Sequence, residues 1–299
     1  MNIWILLKFA KRWLAKRQHR HYLVGTHRIT LPPGHRLDEY QQAFLNYDRK
    51  LPVIARLVDS KYSGMVTLDI GANIGDSAVA IRSTVSGPIL CVEGNSAFLP
   101  YLHANLLPLP GINRVIPTFI RPSGADDVDF EVLTTGGTAH LMPRRTAMRE
   151  HRTSRMTTVQ EILEKNADLG PVKLLKTDTD GFDFAILLGA LDSLALDMPI
   201  LFFEFDPLIG NSNPSDAVAA VEGLGGIGYR SVVVYDNYGN YLMGSDLTRA
   251  LAQDLVANVM QRHRAGGGAV YFDFCCFSIA DADIFQALVQ YEREGIRAS

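Results

Sequence analysis

The 299-residue chain has little cysteine, little tryptophan and almost no net charge. Its three cysteines are Cys91, Cys275 and Cys276, and two of them are neighbours in what reads as a strand. No spaced framework exists, so a disulfide scaffold is excluded and reduced core thiols are expected. The eight histidines show no ligand spacing, which argues against a structural zinc site. A formal charge of −3 gives no general basic surface for nucleic acid. Long hydrophobic runs are also missing. The apolar stretch Ile3–Leu7 is far too short to span a bilayer and lacks the flanks of a secretory signal.

What charge there is lies unevenly. Residues 1–22 carry Lys8, Lys11, Arg12, Lys16, Arg17 and Arg20 with no carboxylate, leaving −9 on the rest. Ile3, Trp4, Leu6, Leu7, Ala10, Trp13 and Leu14 recur there at helical spacing. Residues 1–35 therefore read as a basic amphipathic extension on a domain spanning 36–299. The helix either docks on its own domain or makes peripheral contact with the inner face of a membrane. The body of the protein is expected in the cytoplasm.

From about residue 36 the chain alternates between helical and extended patterns. Arg36–Ser60 is helical with an interruption at Pro52; Met65–Ile70, Pro88–Val92, Val172–Thr177 and Pro199–Phe205 read as strands. Runs such as Ile200–Phe203 and Ser231–Val234 are apolar on both sides, as buried parallel strands are. The fold class implied is α/β, a Rossmann-like sheet with helices on both faces. Ligands in such sheets sit beyond the carboxyl ends of the strands. A Gly/Arg-rich insertion at 134–156 breaks the rhythm. Its Arg144 and Arg145, with His140, are candidate substrate residues, suited to clamping an anionic group; simple solvated charge is the alternative.

The segment Val66–Asp76 places Gly71-Ala72-Asn73-Ile74-Gly75 between a strand and a helix. Dinucleotide sites want a middle glycine so that backbone can approach a pyrophosphate, and that position here is Asn73. S-adenosylmethionine has no phosphate. Asp69 at the strand end can face its cationic amino-acid part, and Glu93, ending the next strand, can accept from both ribose hydroxyls. A second constellation, Leu174–Asp183, carries Lys176, Asp178, Asp180 and Asp183, and Glu204 and Asp206 end the following strand. Helix capping by Asp180 or Asp183 is the purely structural reading. Methyl transfer to a hydroxyl needs collinear alignment and a means of removing a proton. Asp178, Asp180 and Glu204 are candidates for base or metal ligands, Lys176 for orienting the acceptor and His140 for a loop base. If a divalent cation takes part, Asp178 and Asp180 are its ligands.

Thr67–Asp76, C-V-E-G-N at 91–95, L-L-K-T-D-T-D-G-F-D at 174–183 with L-G-A at 188–190, and F-E-F-D-P at 203–207 together resemble the FkbM family of S-adenosylmethionine-dependent methyltransferases. Tyr47–Pro52 and Tyr271–Phe274 agree as well, so the resemblance covers about 40–280. It implies a seven-stranded methyltransferase sheet and O-methylation of a sugar, glycan or secondary-metabolite hydroxyl. It also implies that Asp69, Gly71, Asn73, Gly75 and Asp76, with Ala72 and Asn95, bind the donor, that Glu93 takes the ribose, and that Lys176, Asp178 and Asp180 line the reaction centre. Many members carry V-E-G where this chain has Thr179-Asp180-Gly181, one methylene shorter in reach. The competing readings are an NAD-dependent oxidoreductase on a similar sheet and a non-catalytic, membrane-docked scaffold.

Overall fold

A computed structural model describes residues 19–121, 130–135, 138–143, 156–266 and 270–298; residues 1–18, where the sequence analysis expects an amphipathic helix, lie outside them. The described chain opens with a hairpin, β1 (Arg20–Val24) and β2 (His27–Leu31), followed by α1 (Leu37–Ala43) and α2 (Lys50–Lys61). β3 (Val66–Ile70), α3 (Asp76–Arg82), β4 (Ile89–Val92), α4 (Leu99–Leu106) and β5 (Asn113–Ile116) then alternate. Next come β6 (Phe119–Ile120), the hairpin β7 (Phe130–Thr135) and β8 (Thr138–Pro143), β9 (Met156–Thr157) and α5 (Val159–Lys165). β10 (Val172–Thr177), α6 (Asp183–Gly189), α7 (Leu191–Asp197), β11 (Ile200–Phe205) and α8 (Pro214–Ile227) continue the alternation. β12 (Tyr229–Asp236), β13 (Tyr241–Asp246), α9 (Arg249–Arg264), β14 (Phe272–Ser278) and α10 (Ala282–Ala298) complete it.

Eight strands form one sheet in the order β13–β12–β14–β11–β10–β3–β4–β5. The pairs from β11 to β5 are parallel, whereas β14 runs antiparallel to both β11 and β12. β13 is one strand more than the seven expected and continues the sheet past β12 as an antiparallel edge. The chain reverses between β3 and β10, which neighbour each other although far apart in sequence. That is the switch point where an open α/β sheet leaves a crevice.

Alternation along the strands divides the interior into two cores. Leu68, Leu175, Phe203, Phe205 and Phe274 pack with α6, α8 and α9 on one face. Leu174, Ile200, Val233 and Cys275 pack with α2, α3 and α10 on the other. All three cysteines are buried and free, as expected, and the adjacent Cys275 and Cys276 fall in opposite cores.

Two local differences from the sequence expectation shape the site. Pro52 does not interrupt a helix; it lies in the first turn of α2, where its missing N–H breaks no hydrogen bond. The break comes earlier, at residues 44–49, where the chain turns with Asp48 at φ 55°. Residues 20–31, placed by sequence in the basic extension, form the β1–β2 hairpin, whose Val24, Ile29 and Leu31 are buried. Asn105 of α4 fastens that hairpin to the glycine turn. Its Oδ1 accepts from Thr30 N at 2.7 Å and its Nδ2 donates to the Ile74 carbonyl at 2.9 Å.

Candidate active site

A row of ionisable side chains crosses one sheet face near the carboxyl ends of the strands. Lys176 stands in register with Asp69 on one side and Phe202 on the other, and Glu204 pairs with Asp273 on the antiparallel β14. Above this row lies a chamber of about 210 Å³ lined by Tyr47, Asp48, Asp76, Asp178, Glu204 and Asp273, among others. A second cavity of about 70 Å³ adjoins it, lined by Glu93, Phe98, Thr118, Phe119, Phe182 and Ile186, among others. Gly71, Asn73, Asp178 and Asp180 border both.

Backbone conformation builds that shared border. Gly71, Asn73 and Asp180 have φ of 75°, 49° and 51°, all in the left-handed region. A Cβ on Gly71 would stand 1.9 Å from the Asp178 carbonyl oxygen, so only glycine permits the two loops to meet. The N–H groups of Gly71 and Ala72 both donate to the Val92 carbonyl at 3.0 Å, and Asp178 N donates to the Ile70 carbonyl at 3.1 Å. These bonds stitch together the loops after β3, β4 and β10.

Glu93 projects into the smaller cavity with each oxygen committed once. Oε2 accepts from Asn73 N at 2.8 Å and Oε1 from Asn95 N at 2.6 Å. A carboxylate oxygen accepts more than one hydrogen bond, so both can still take a hydroxyl. Burial raises the Glu93 pKa, and the two N–H donors work against that rise. The cavity around it is lined by Phe119, Ile120, Phe182 and Ile186 and offers a flat apolar slot. Gly94 admits the Phe119 ring, which a Cβ there would meet at 2.3 Å.

Lys176 organises the chamber floor. Its Nζ lies 3.3 Å from Asp69 Oδ1, 3.4 Å from Asp178 Oδ2 and 3.4 Å from the Gly71 carbonyl. Burial opposes its charge, yet Asp69, Asp178, Asp76 and Asp48 outweigh that and hold it protonated. Glu204 and Asp273 are pushed well up, first by burial and then by Asp178. Glu204 Oε2 is buried without a hydrogen-bond partner. Asp48 lies exposed on its turn, where Asp76 and Asp178 raise its pKa against Lys176. His35 is lowered by burial, which outweighs Asp76 and Asn73.

Most residues picked from the sequence converge here. Lys176, Asp178, Asp180, Glu204, Gly71, Asn73 and Asp76 line the chamber, and Glu93 lines the slot. Asp69 is close but points elsewhere: it is wholly buried beneath the chamber as the counter-ion of Lys176, not in its wall. Gly75, at φ 86°, precedes α3; Ala72 is buried; and Asn95 caps its own turn by accepting from Ala97 N at 3.0 Å. Asp183, read as a capping residue, opens α6 and accepts from Thr177 Oγ1 at 2.7 Å and Thr179 N at 3.2 Å. His140 lies on β8, and Arg144 and Arg145 fall outside the described residues. Among the described residues, no three His, Cys, Asp or Glu side chains are arranged to hold a metal ion.

Sequence reasoning gave no role to Tyr40, Tyr47, Asp48, Phe202, Tyr271 and Asp273, all of which face the chamber. The tight turn 44–49 aims Tyr47 and Asp48 inward. It is pinned to the β12–β13 turn by Asn46 Nδ2 donating to Asn240 Oδ1 at 3.0 Å and by Phe44 stacked on Tyr238 at 4.1 Å.

The sheet order, with β14 antiparallel between β11 and β12, and the paired cavities at the switch point define a Rossmann-like methyltransferase fold. Residues 69–225, more than half of the chain, match the model of the methyltransferase FkbM domain. The chain belongs to the FkbM methyltransferase family. No curated protein matches it significantly. Among solved structures it is similar to methyltransferase FkbM from Methylobacillus flagellatus KT, with 14% identity over 47% of this chain and 32% of that one, at a TM-score of 0.30. It is also similar to a putative SAM-dependent methyltransferase from Streptococcus mutans, with 10% identity over 87% of this chain and 55% of that one, at a TM-score of 0.44. The O-methyltransferase TomG from Streptomyces achromogenes, solved with SAM, is 11% identical over 77% of this chain and 79% of that one, at a TM-score of 0.39.

Proposed function

We propose that the chain transfers a methyl group from S-adenosylmethionine to a hydroxyl of a sugar, glycan or related metabolite. The observation that carries this reading is Glu93: a buried carboxylate in an apolar slot, each oxygen held by one backbone N–H and open to a further donor. A ribose diol over Glu93 with the adenine against Phe119, Phe182 and Ile186 fits that slot. The sulfonium and ammonium then reach the chamber, where Asp76, Asp178 and Asp180 offset their charge. When bound, the donor supplies an electrophilic methyl carbon with a good leaving group.

Everything else falls to the chain's own side chains. Lys176 stays charged and fixes the Asp178 carboxylate at the border of the two cavities. Burial, and then Asp178, raise the proton affinity of Glu204 and Asp273, which favours hydrogen-bond donation from this pair to acceptor oxygens. Tyr47 and Tyr271, both in the chamber wall, offer rings to the C–H faces of a sugar and hydroxyls to its oxygens. Alignment at near-attack distance is the main demand of an in-line displacement.

Two cavities joined at a narrow border also speak against NAD, since Asn73 stands where a pyrophosphate requires glycine. Thermal-shift titration separates the two ligands. S-adenosylhomocysteine is expected to raise the melting temperature and NAD to leave it unchanged; the reverse pattern would overturn the methyltransferase reading. Mass spectrometry of cell extract treated with labelled donor is expected to find a product heavier by one methylene.

A further inference from the structure

We propose that Arg36 holds the α-carboxylate of the methyl donor's amino-acid tail, so that the segment ahead of the glycine turn is part of the donor site. The inference rests on the methyltransferase reading above and concerns a residue that precedes the family match at 69–225.

The tail poses a charge problem in this chamber. Its sulfonium and ammonium suit walls that carry Asp48, Asp76, Asp178, Asp180, Glu204 and Asp273, but its carboxylate is repelled by them. An anion there needs a cationic donor. Among the described residues lining the chamber, the basic side chains are His35, Arg36 and Lys176.

Two of the three are already committed. An ammonium has three N–H bonds, and Lys176 Nζ has Asp69, Asp178 and the Gly71 carbonyl within 3.3–3.4 Å. His35 Nδ1 accepts from Leu37 N at 3.3 Å, so that nitrogen carries no proton and the ring is neutral; burial lowers its pKa in the same sense. Arg36 differs from both. Its Nε donates to Glu39 Oε2 at 3.0 Å, and its guanidinium carbon lies 4.7 Å from the centre of the Tyr40 ring. Those contacts fix the plane of the group and use one of its five N–H bonds. Among the described residues the two Nη groups have no hydrogen-bond partner, and they form the fork that matches a carboxylate.

The backbone around Arg36 is tied to the glycine turn. Arg20 of β1 pairs with Asp38 and donates to the His35 carbonyl, and Tyr40 N donates to the Arg36 carbonyl at 3.0 Å. Behind them, Asn105 joins Thr30 of the hairpin to the Ile74 carbonyl inside the glycine turn. The His35 ring lies beside Asn73 and Asp76. A tail that leaves a ribose on Glu93 crosses the Gly71–Asn73 border and meets Asp76 and Arg36 together, an acid for the ammonium and a base for the carboxylate.

The test compares two ligands on the full chain by calorimetry: S-adenosylhomocysteine, which carries the tail, and 5′-methylthioadenosine, which has only a methyl group on the sulfur in its place. Arg36→Ala is expected to weaken S-adenosylhomocysteine at least about tenfold, the scale of lost charge-assisted hydrogen bonds, while 5′-methylthioadenosine stays within about threefold of the parent. Arg36→Lys keeps the charge without the fork and should fall between Arg36→Ala and the parent. Because the guanidinium is half exposed, added salt should weaken S-adenosylhomocysteine more on the parent than on Arg36→Ala. A smaller loss of S-adenosylhomocysteine affinity in Arg36→Ala, or an equal loss for 5′-methylthioadenosine, would overturn the assignment. A parent chain that binds neither ligand would instead overturn the methyltransferase reading on which it rests.

Discussion

Replacing Lys176 by methionine removes the charge that neutralises Asp69 while nearly preserving shape. Asp69 is wholly buried, its nearest cation is Lys176 Nζ at 3.3 Å, and neither of its oxygens has another side-chain or backbone donor. At an effective dielectric of about 20 that separation corresponds to roughly 5 kcal/mol of attraction. Breaking a buried pair by deleting one partner typically costs about 3–5 kcal/mol, because the remaining charge is stranded. Lys176→Met is therefore expected to destabilise the chain by about 3–5 kcal/mol at pH 7.5, read from urea unfolding, with a melting temperature lower by roughly 6–10 °C. The sign of the pH dependence follows from Asp69. Its folded pKa is already raised by burial, and loss of Lys176 raises it further. The folded variant then keeps a proton that the unfolded chain has released, so its stability falls as pH rises above the ordinary carboxylate range, and the deficit is smallest at low pH. Asp69→Asn combined with Lys176→Met should recover much of the loss. A single variant within about 1 kcal/mol of the parent at pH 7.5 would show that no buried charge depends on this lysine, and the electrostatic reasoning would fail.

Three further expectations follow from the geometry. Glu93→Gln keeps the shape but turns an amide N–H toward one of the two backbone donors now held at 2.8 and 2.6 Å; affinity for S-adenosylhomocysteine by calorimetry should fall roughly 10- to 100-fold, and an unchanged affinity would place the ribose elsewhere. Gly71→Ala puts a Cβ 1.9 Å from the Asp178 carbonyl and should separate the two loops, lowering both melting temperature and donor-analogue binding; a variant unchanged in both would contradict the close approach. Asp183, pushed up to about 6 by burial and Asp178, holds a proton in the folded state that the unfolded chain loses from about pH 4, so between those values it makes stability fall as pH rises. Asp183→Asn should flatten that slope in unfolding experiments run from pH 4 to 7, and an undiminished slope would assign it to other groups.

The cavity-lining residues of the middle of the chain were legible because they sit at strand ends and in the turns that follow, where local pattern places them at the crevice. Gly71, Asn73, Glu93, Lys176, Asp178, Asp180 and Glu204 all border a cavity as their places in the alternation imply. Asp69 shows the limit of that logic: strand-end position was read correctly, but its side chain faces the row shared with Lys176, which only cross-strand register reveals. Tyr47–Pro52 and Tyr271–Phe274 were visible as motifs, yet no role could be given to Asp48 or Asp273. The first is aimed by a turn anchored on residues almost two hundred positions away, and the second by the antiparallel pairing of β14. The β1–β2 hairpin carried a usable signal in Gly25 between two extended runs, masked by the density of basic and histidine residues around it. β13 carried less, since Tyr241–Asp246 is a half-exposed edge with no apolar alternation.

The anchoring of residues 44–49 on the β12–β13 turn divides the site by position along the chain. The slot and the border come from a contiguous middle of the chain, within residues 69–225, whereas the far wall is assembled from the segments on either side: Tyr40, Tyr47 and Asp48 before it, Asn237, Tyr271 and Asp273 after it. Asn46 against Gly239 and Asn240, with Phe44 stacked on Tyr238, joins those flanks at the chamber. On the proposed reading, the two flanks form one cheek of a vise that meets the workpiece, while the middle of the chain supplies the jaw that grips the adenosine of the methyl donor.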